Sequence, residues 1–255
     1  MLKNSTNIPL SIGVWLATDT YDYNDDPNYI SATSLLQPIK SIVVGRSIPK
    51  EEEIDIADLV PSKVGTAVHD QIELAWLNNY RPALKALGVP SNIINNILVN
   101  SIEPVEGFSH VYVEKRSHKK IGKWTIGGKF DFVMDGVLTD FKTTKTYSFI
   151  SGSNEPQYAM QGSIYKWLNP DIITAPYMHI GYIFTDWIMV KSIQDKEYPP
   201  HNVIEKKIPI FEPAETENFI RGVLNKIDQY TGKPQSDMPD CTKEELWQND
   251  SVWKY

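Results

Sequence analysis

The sequence contains a single cysteine and no long apolar segment. One thiol, Cys241, cannot form an intramolecular disulfide or build a cysteine-only zinc or iron–sulfur site. No window approaches the roughly 18 apolar residues of a transmembrane helix. The N-terminal segment also lacks the succession of basic, apolar and small residues that is typical of a signal peptide. We therefore expect a cytoplasmic protein without membrane contact.

Positive charge is also scarce. The chain carries 25 Lys and Arg against 32 Asp and Glu, a formal net charge of −7, whereas nonspecific nucleic-acid-binding surfaces are usually basic. Basic residues are concentrated in one segment: Lys115, Arg116, Lys119, Lys120 and Lys123. This segment predicts either a locally basic groove or an ordinary solvated turn between two strands.

No linker-like run of Gly, Ser or charge divides the 255 residues. We therefore expect one domain over residues 1–255, with its core at about 62–230. The 41% hydrophobic content is enough for a substantial core. The phosphate-binding pattern G-x-x-x-x-G-K-[ST] is absent, which argues against a nucleotide-driven motor in this chain.

The hydrophobic periodicity predicts an α+β protein. In the first part of the chain, the pattern predicts an irregular segment at 1–30, a short helix at 33–44 and an acidic loop at 45–61. A helix capped by Ser62, with a buried apolar stripe, follows at 62–78, and then two short helices up to about residue 100. In the second part, the pattern predicts three strands at 108–116, 123–134 and 137–143, and then a helix at 157–168 that Pro156 opens. Two strands at 177–190 and 203–210, a helix at 212–230 and an irregular tail from 231 onward complete the chain.

Two of these strands carry the most informative residues. Side chains two apart on a strand share a face, which places Asp140 and Lys142 on one face of the third strand. On the second strand the same period places Lys129, Asp131 and Val133 on one face. Phe130, Phe132 and Met134 then form the opposite, apolar face. Asp135-Gly136 favours a tight hairpin between these strands, so we expect Asp131 to approach Asp140.

Two carboxylates and a lysine in this arrangement suit Mg²⁺ or Mn²⁺ chemistry. Mg²⁺ prefers oxygen ligands in octahedral geometry, and Asp131, Asp140 and the carbonyl of Phe141 would supply them. A bound cation of this kind activates water and stabilises charge on a phosphodiester transition state, with Lys142 as a helper. The alternative is an ordinary hairpin with solvent-facing charges, because isolated D-x-K tripeptides are common.

Other residues are candidates for the same site. His69 and Glu73 lie four apart on the helix of residues 62–78, and Gln161 and Tyr165 show the same spacing on a later helix. Glu114, in the strand before the hairpin, would orient the lysine or act as an outer-shell carboxylate. Each has an ordinary structural alternative. His69 would be a core histidine, Gln161 and Tyr165 would pack in the core, and Glu114 would form a salt bridge with the neighbouring basic cluster.

The order of these patterns is more specific than any one of them. Along the chain come GTAVHDQIE at 65–73, Glu114, GKFD at 128–131, DFK at 140–142 and QGSIY at 161–165. This order resembles the RecB-like branch of the PD-(D/E)xK nucleases, which has G-T-x-x-H-x-x-x-E, G-x-x-D, D/E-x-K and Q-x-x-x-Y motifs. The C-terminal segment 238–255 is also similar to the end of phage-encoded exonucleases of this branch.

The resemblance implies a restriction-endonuclease-like core, a central mixed sheet flanked by helices. It implies the following roles: His69, Asp131, Asp140 and the Phe141 carbonyl as metal ligands, Lys142 as the catalytic lysine, and Gln161 and Tyr165 as shapers of the substrate site. Some members of the branch hold an iron–sulfur cluster through four cysteines, which a chain with one cysteine cannot do.

The resulting expectation is a metal-dependent exonuclease that acts on linear DNA ends in phage replication or recombination. A single-strand annealing or binding protein is a possible partner. Two alternatives stay open: a catalytically silent DNA-binding or assembly protein of the same fold, and an endonuclease.

Overall fold

A mixed β-sheet with helices on both faces forms the centre of the fold. The computed structural model describes residues 2–19, 23–48 and 53–242. The strands are β1 Leu2–Lys3, β2 Tyr29–Ser31, β3 Ile54–Asp55, β4 Ile97–Val99, β5 Ser109–Ile121, β6 Trp124–Met134, β7 Val137–Thr144, β8 Tyr177–Phe184 and β9 Val203–Pro209. The α-helices are α1 Leu10–Ala17, α2 Ile39–Ser47, α3 Val60–Asn78, α4 Tyr80–Ala86, α5 Ser91–Asn95, α6 Thr146–Ser151, α7 Glu155–Leu168, α8 Met189–Gln194 and α9 Pro213–Tyr230. Short 3₁₀ helices cover Ser34–Leu36, Ile56–Leu59 and Gln235–Asp237.

The main sheet has the strand order β4-β5-β6-β7-β8-β9, and β2 joins it by pairing with β6. The pairs β5–β6, β6–β7 and β8–β9 are antiparallel, whereas β4–β5, β7–β8 and β2–β6 are parallel. The predicted hairpin is confirmed, because Met134 pairs with Val137 across Asp135-Gly136. Both turn residues have positive φ, 48° and 84°, as a type I′ hairpin loop requires.

The two faces of the sheet have separate apolar cores. The larger core lies between the sheet and helices α7 and α9, and includes Phe130, Ile164, Trp167, Ile180 and Ile220. The smaller core lies beneath α3 and α4, where Trp76, Tyr80 and Leu84 pack against four buried residues: Ile97, Val111, Val113 and Phe132. The sheet therefore holds α3 and α7 on opposite sides of the same strands.

The side-chain alternation of β5 and β6 reverses at one point. Phe130 lies in the larger core and Phe132 in the smaller core, although two residues on a regular strand share a face. Strand pairing continues on either side, with Val113 opposite Phe132 and Lys115 opposite Phe130. Between these pairs Glu114 has a left-handed φ of 50°. The predicted common face for Phe130, Phe132 and Met134 is therefore wrong.

The other edge of β6 is shared by two strands. Strand β7 pairs with Phe132–Met134, and β2 pairs with Thr125–Gly127. Residues 128–131 fall between these two ladders, so β6 and β7 separate after the Phe132–Thr139 pair. This separation opens a fork in the sheet at Asp131 and Asp140.

Several predicted boundaries are wrong for local reasons. The segment 1–30 contains α1 and most of β2, and the expected helix over 33–44 is divided into Ser34–Leu36 and α2. Pro38 explains the division, because the residue before a proline is pushed out of the helical region and Gln37 has an extended ψ of 155°. Strand β8 ends at Phe184 rather than at 190, and α8 follows it.

Helix α3 differs from its prediction in two ways. It begins at Val60 with Pro61 in the first turn, and Ser62 does not cap it. Its apolar stripe is only half-buried at Val64, Val68, Ile72 and Trp76, and Ala75 is exposed. The side of the sheet that carries α3 is therefore the more open one.

Part of the predicted C-terminal tail lies beyond what the structure describes. Residues 243–255, most of the segment that resembles phage exonucleases, lie outside the described residues. Within residues 2–19, 23–48 and 53–242, no helix has both the length and the apolar character needed to cross a membrane.

The close approach of α7 to β8 depends on Gly162. A Cβ added at Gly162 would collide with the sulfur of Met178 and lie 3.2 Å from Ile210, and Met178 is fully buried. We expect Gly162→Ala to destabilise the protein by about 1–3 kcal/mol through overpacking. Gly222→Ala on α9, where nothing lies within 4 Å of the new Cβ, is the matched control and should stabilise by ~0.4–1 kcal/mol. Urea unfolding of both variants measures the difference.

Candidate active site

The fork between β6 and β7 brings the two candidate aspartates together. Asp131 and Asp140 are the first residues of each strand beyond the last antiparallel pair, Phe132 with Thr139. Both are buried, with exposed fractions of 9% and 2%. The negative charge of Asp131 makes ionisation of Asp140 less favourable. Asp140 thus has a raised pKa of about 6, chiefly through burial and secondarily through Asp131.

Three side chains converge on one side of the fork. His69 from α3, Glu114 from β5 and Asp131 from β6 each present a ligand atom, and all three atoms lie within 4.8 Å of one another. We call these three residues the metal triad. Carboxylate oxygens suit Mg²⁺ and Mn²⁺, and the imidazole favours Mn²⁺ because Mg²⁺ prefers oxygen ligands. The reversal of side-chain direction at Glu114 and Asp131 is what turns both carboxylates toward His69.

The orientation of His69 leaves one ring nitrogen facing negative charge. Its Nε2 lies 3.1 Å from the carbonyl oxygen of Phe141, which can only accept, so Nε2–H donates. Its Nδ1 then points at Asp131 Oδ1, 3.4 Å away, and at Glu114 Oε1, 4.0 Å away. A proton on Nδ1 or a bound cation must therefore balance the negative charge of these two carboxylates. The hydrogen bond with Asp131 raises the pKa of His69 against the opposing effect of burial.

Glu114 occupies a different place from the one expected for it. The sequence placed it beside Lys142 or outside the ligand set, but its contacts are an ion pair with Lys129 and the approach to His69. Burial raises the pKa of Glu114, and Lys129 opposes that shift. Glu114 is therefore within the metal triad, whereas Asp140, expected as a ligand, lies outside it.

A second group of side chains lies on the α7 side of the fork. Lys142 Nζ is 2.6 Å from Asp140 Oδ2 and 3.4 Å from Gln161 Oε1. The amide nitrogen of Gln161 donates to Asp140 Oδ1 at 3.2 Å and to the Tyr165 hydroxyl at 3.0 Å. Burial lowers the pKa of Lys142, but the charge and hydrogen bond of Asp140, together with the charge of Asp131, more than offset that effect, so the net shift is upward. Burial also raises the pKa of Tyr165. Lys142 therefore remains charged, and Tyr165 protonated, at neutral pH.

The backbone of Phe141 connects the two groups. Its N–H donates to Asp131 Oδ2 at 2.8 Å, and its carbonyl accepts from His69. Its side chain packs against the smaller core on the α3 side, while its neighbours Asp140 and Lys142 face α7. The carbonyl expected to be a metal ligand thus holds the histidine in this structure.

Two members of the site were missed by sequence reasoning. Lys129 pairs with Glu114, although its strand period already placed it beside Asp131. The ring of Tyr158 lies 4.9 Å from Lys142 Nζ. The signal for Tyr158 was its position three residues before Gln161 on the same helical face.

Comparisons with known proteins bear on the fold. No protein-family model and no curated protein matches the sequence. The crystal structure of SSO0001 superposes with a TM-score of 0.52 at 15% identity, covering 89% of both chains. A phage-related exonuclease from Haemophilus somnus 129PT superposes with a TM-score of 0.34 at 13% identity, over 80% of this chain and 93% of that chain. The first likeness supports a shared α+β fold, and the second is too distant to carry an argument.

The buried pair of Asp140 and Lys142 should give stability a defined pH dependence. The folded-state pKa of Asp140, about 6, exceeds its ordinary value of 3.8. Its contribution to stability is therefore greatest at low pH and declines as pH rises through about 6. Lys142→Met removes the compensating charge and raises that pKa further. We expect a loss of roughly 3–5 kcal/mol at about pH 8 and a clearly smaller loss at about pH 5.

Urea unfolding at the two pH values measures this difference. Lys226→Met, at an exposed position of α9, removes the same charge and should change stability little at either pH. Equal losses for Lys142→Met at both pH values would contradict a buried, coupled pair.

Proposed function

We propose that this protein is a divalent-cation-dependent nuclease of the RecB-like PD-(D/E)xK type. The observation that carries the proposal is the orientation of His69, whose Nδ1 faces Glu114 and Asp131 while Nε2–H donates to Phe141. Histidines that bind metals commonly donate their other ring N–H to a carbonyl or carboxylate. The donor set therefore suits a cation, and the D-x-K lysine, Lys142, lies on the other side of the same fork, where it contacts Asp140.

Each residue of the site has a role in this proposal. His69, Glu114 and Asp131 hold the cation, which would supply Lewis acidity and a water of lowered pKa. Lys142, kept charged by Asp140, neutralises the scissile phosphate or orients the attacking water. Gln161 fixes both members of that pair and is itself held by Tyr165. Asp140, which the sequence motifs suggest as a further ligand, is held by Lys142 and Gln161 in this structure.

The finer assignment is to an exonuclease that degrades linear DNA, with Mg²⁺ or Mn²⁺ as cofactor, in phage replication or recombination. It rests on the resemblance of the motif series to the RecB-like branch. A single-strand annealing or binding protein would be a suitable partner in that setting. The site residues themselves account only for phosphodiester hydrolysis.

Cleavage of linear DNA is the direct test. With Mn²⁺ or Mg²⁺, the wild type should degrade end-labelled linear DNA, and EDTA should abolish the activity. Lys142→Ala should lower the rate by about 10²–10³-fold, the usual contribution of one group that stabilises charge in the transition state. Lys226→Ala, which removes an exposed lysine of α9, should leave the rate unchanged.

The substrate form separates the alternatives. A covalently closed circle should resist an exonuclease and be cut by an endonuclease. If the wild type binds DNA but degrades no substrate with any divalent cation, the enzyme proposal fails and the silent DNA-binding alternative takes its place.

A further inference from the structure

The hairpin formed by β5 and β6 beyond Glu114 and Asp131 carries a basic stripe on the α3 side of the sheet. We define this stripe as Lys129, Arg116, His118 and Lys120, with Tyr29 beside it. We propose that it binds one extended single strand of nucleic acid and leads that strand to the metal triad. The second half of this proposal rests on the proposed nuclease function, whereas the binding itself does not.

The structure divides the basic segment of the sequence between two faces. Lys115 lies over the ring of Tyr112 at 5.0 Å and Lys119 over the ring of Trp167 at 4.2 Å. Tyr112 and Trp167 both belong to the larger core, so these two lysines face α7. Because strand residues alternate, Arg116, His118 and Lys120 face the opposite side. The segment is thus part of a strand rather than a turn.

Register places the stripe in line with the metal triad. Across the hairpin, Arg116 pairs with Lys129, His118 with Gly127 and Lys120 with Thr125. Lys129 is in contact with Glu114 of the triad. Residues two apart on a strand are separated by about 6.7 Å, which is comparable with the separation of successive phosphates in an extended strand. The stripe therefore sets the side chains of Arg116, His118 and Lys120 at a suitable repeat along one line that begins beside the site itself.

Two rings within the stripe favour a single strand over a duplex. Tyr29 from β2 and His118 lie with ring centroids 5.9 Å apart, tilted by 58°. The ring of Tyr29 covers Gly127, where a Cβ would collide with it, so the absence of a side chain at 127 permits its position. Unpaired bases stack on such rings, and the bases of a duplex have no free face to do so.

The charge of the rest of the molecule makes the stripe necessary for this task. The chain has a net charge of −7, and three of its carboxylates are buried or half-buried in the fork: Glu114, Asp131 and Asp140. A polyanion needs a local basic surface to approach these carboxylates. Lys120 is exposed and Arg116 is half-buried, and these two side chains supply positive charge on either side of the exposed His118.

The neighbouring lysines 119 and 120 provide the test. Binding of a fluorescein-labelled oligothymidylate is measured by anisotropy in EDTA, so that no cleavage occurs, over a series of salt concentrations. Lys120→Ala should weaken binding several-fold and reduce the slope of log K against log salt by about 0.7, the value for one phosphate contact to a single strand. Lys119→Ala removes the same charge from the opposite face and should leave the slope unchanged.

Each outcome decides the proposal. Loss of affinity and slope in Lys120→Ala alone supports it. Equal effects of the two substitutions, no effect of either, or no binding by the wild type overturn it. A matched duplex weakened as strongly as the single strand overturns the single-strand assignment. The binding assay contains no divalent cation. If Lys120→Ala alone weakens binding but the wild type cleaves no DNA with Mn²⁺, the nuclease proposal is contradicted and the binding site is still supported.

Discussion

The separation of β6 from β7 after the Phe132–Thr139 pair is the constraint on which the candidate site depends. Antiparallel strands that stayed paired would satisfy the backbone of residue 141 with β6, and its neighbours would alternate across a closed sheet. At the fork, the N–H of Phe141 turns instead to the carboxylate of Asp131, and its carbonyl to His69. One peptide segment thereby joins the α3 side of the sheet to the α7 side.

Electrostatic compensation determines the remaining geometry. Three carboxylates in a poorly solvated fork repel one another. Burial, together with the charge of Asp131, raises the pKa of Asp140 to about 6 against the opposing effect of Lys142. Lys142 and Lys129 each neutralise one carboxylate by direct contact. His69 faces the third with a nitrogen that needs a proton or a cation. A functional site commonly stores such unfavourable charge at a cost to stability that the rest of the fold must offset.

Sequence reasoning predicted the parts of the fold that depend on local signals. The Asp135-Gly136 turn, the hairpin that it closes, and the common face of Asp140 and Lys142 follow from turn chemistry and strand period. The position of Glu114 could not be predicted, because it depends on a left-handed φ at a residue that is not glycine. That conformation reverses the period on which the prediction relied. The division of the basic segment between two faces could not be predicted either, because the reversal of side-chain direction at Glu114 decides which lysines face α7.

The central claim is that His69, Glu114 and Asp131 hold a divalent cation, and a crystal structure of the wild type grown with Mn²⁺ tests it most directly. The account predicts an anomalous-scattering peak within about 2 Å of His69 Nδ1 and of one oxygen each from Glu114 and Asp131, the distance typical of such ligands. A structure in which Mn²⁺ binds elsewhere, or in which His69 keeps its contacts and no ion lies between the two carboxylates, would contradict it.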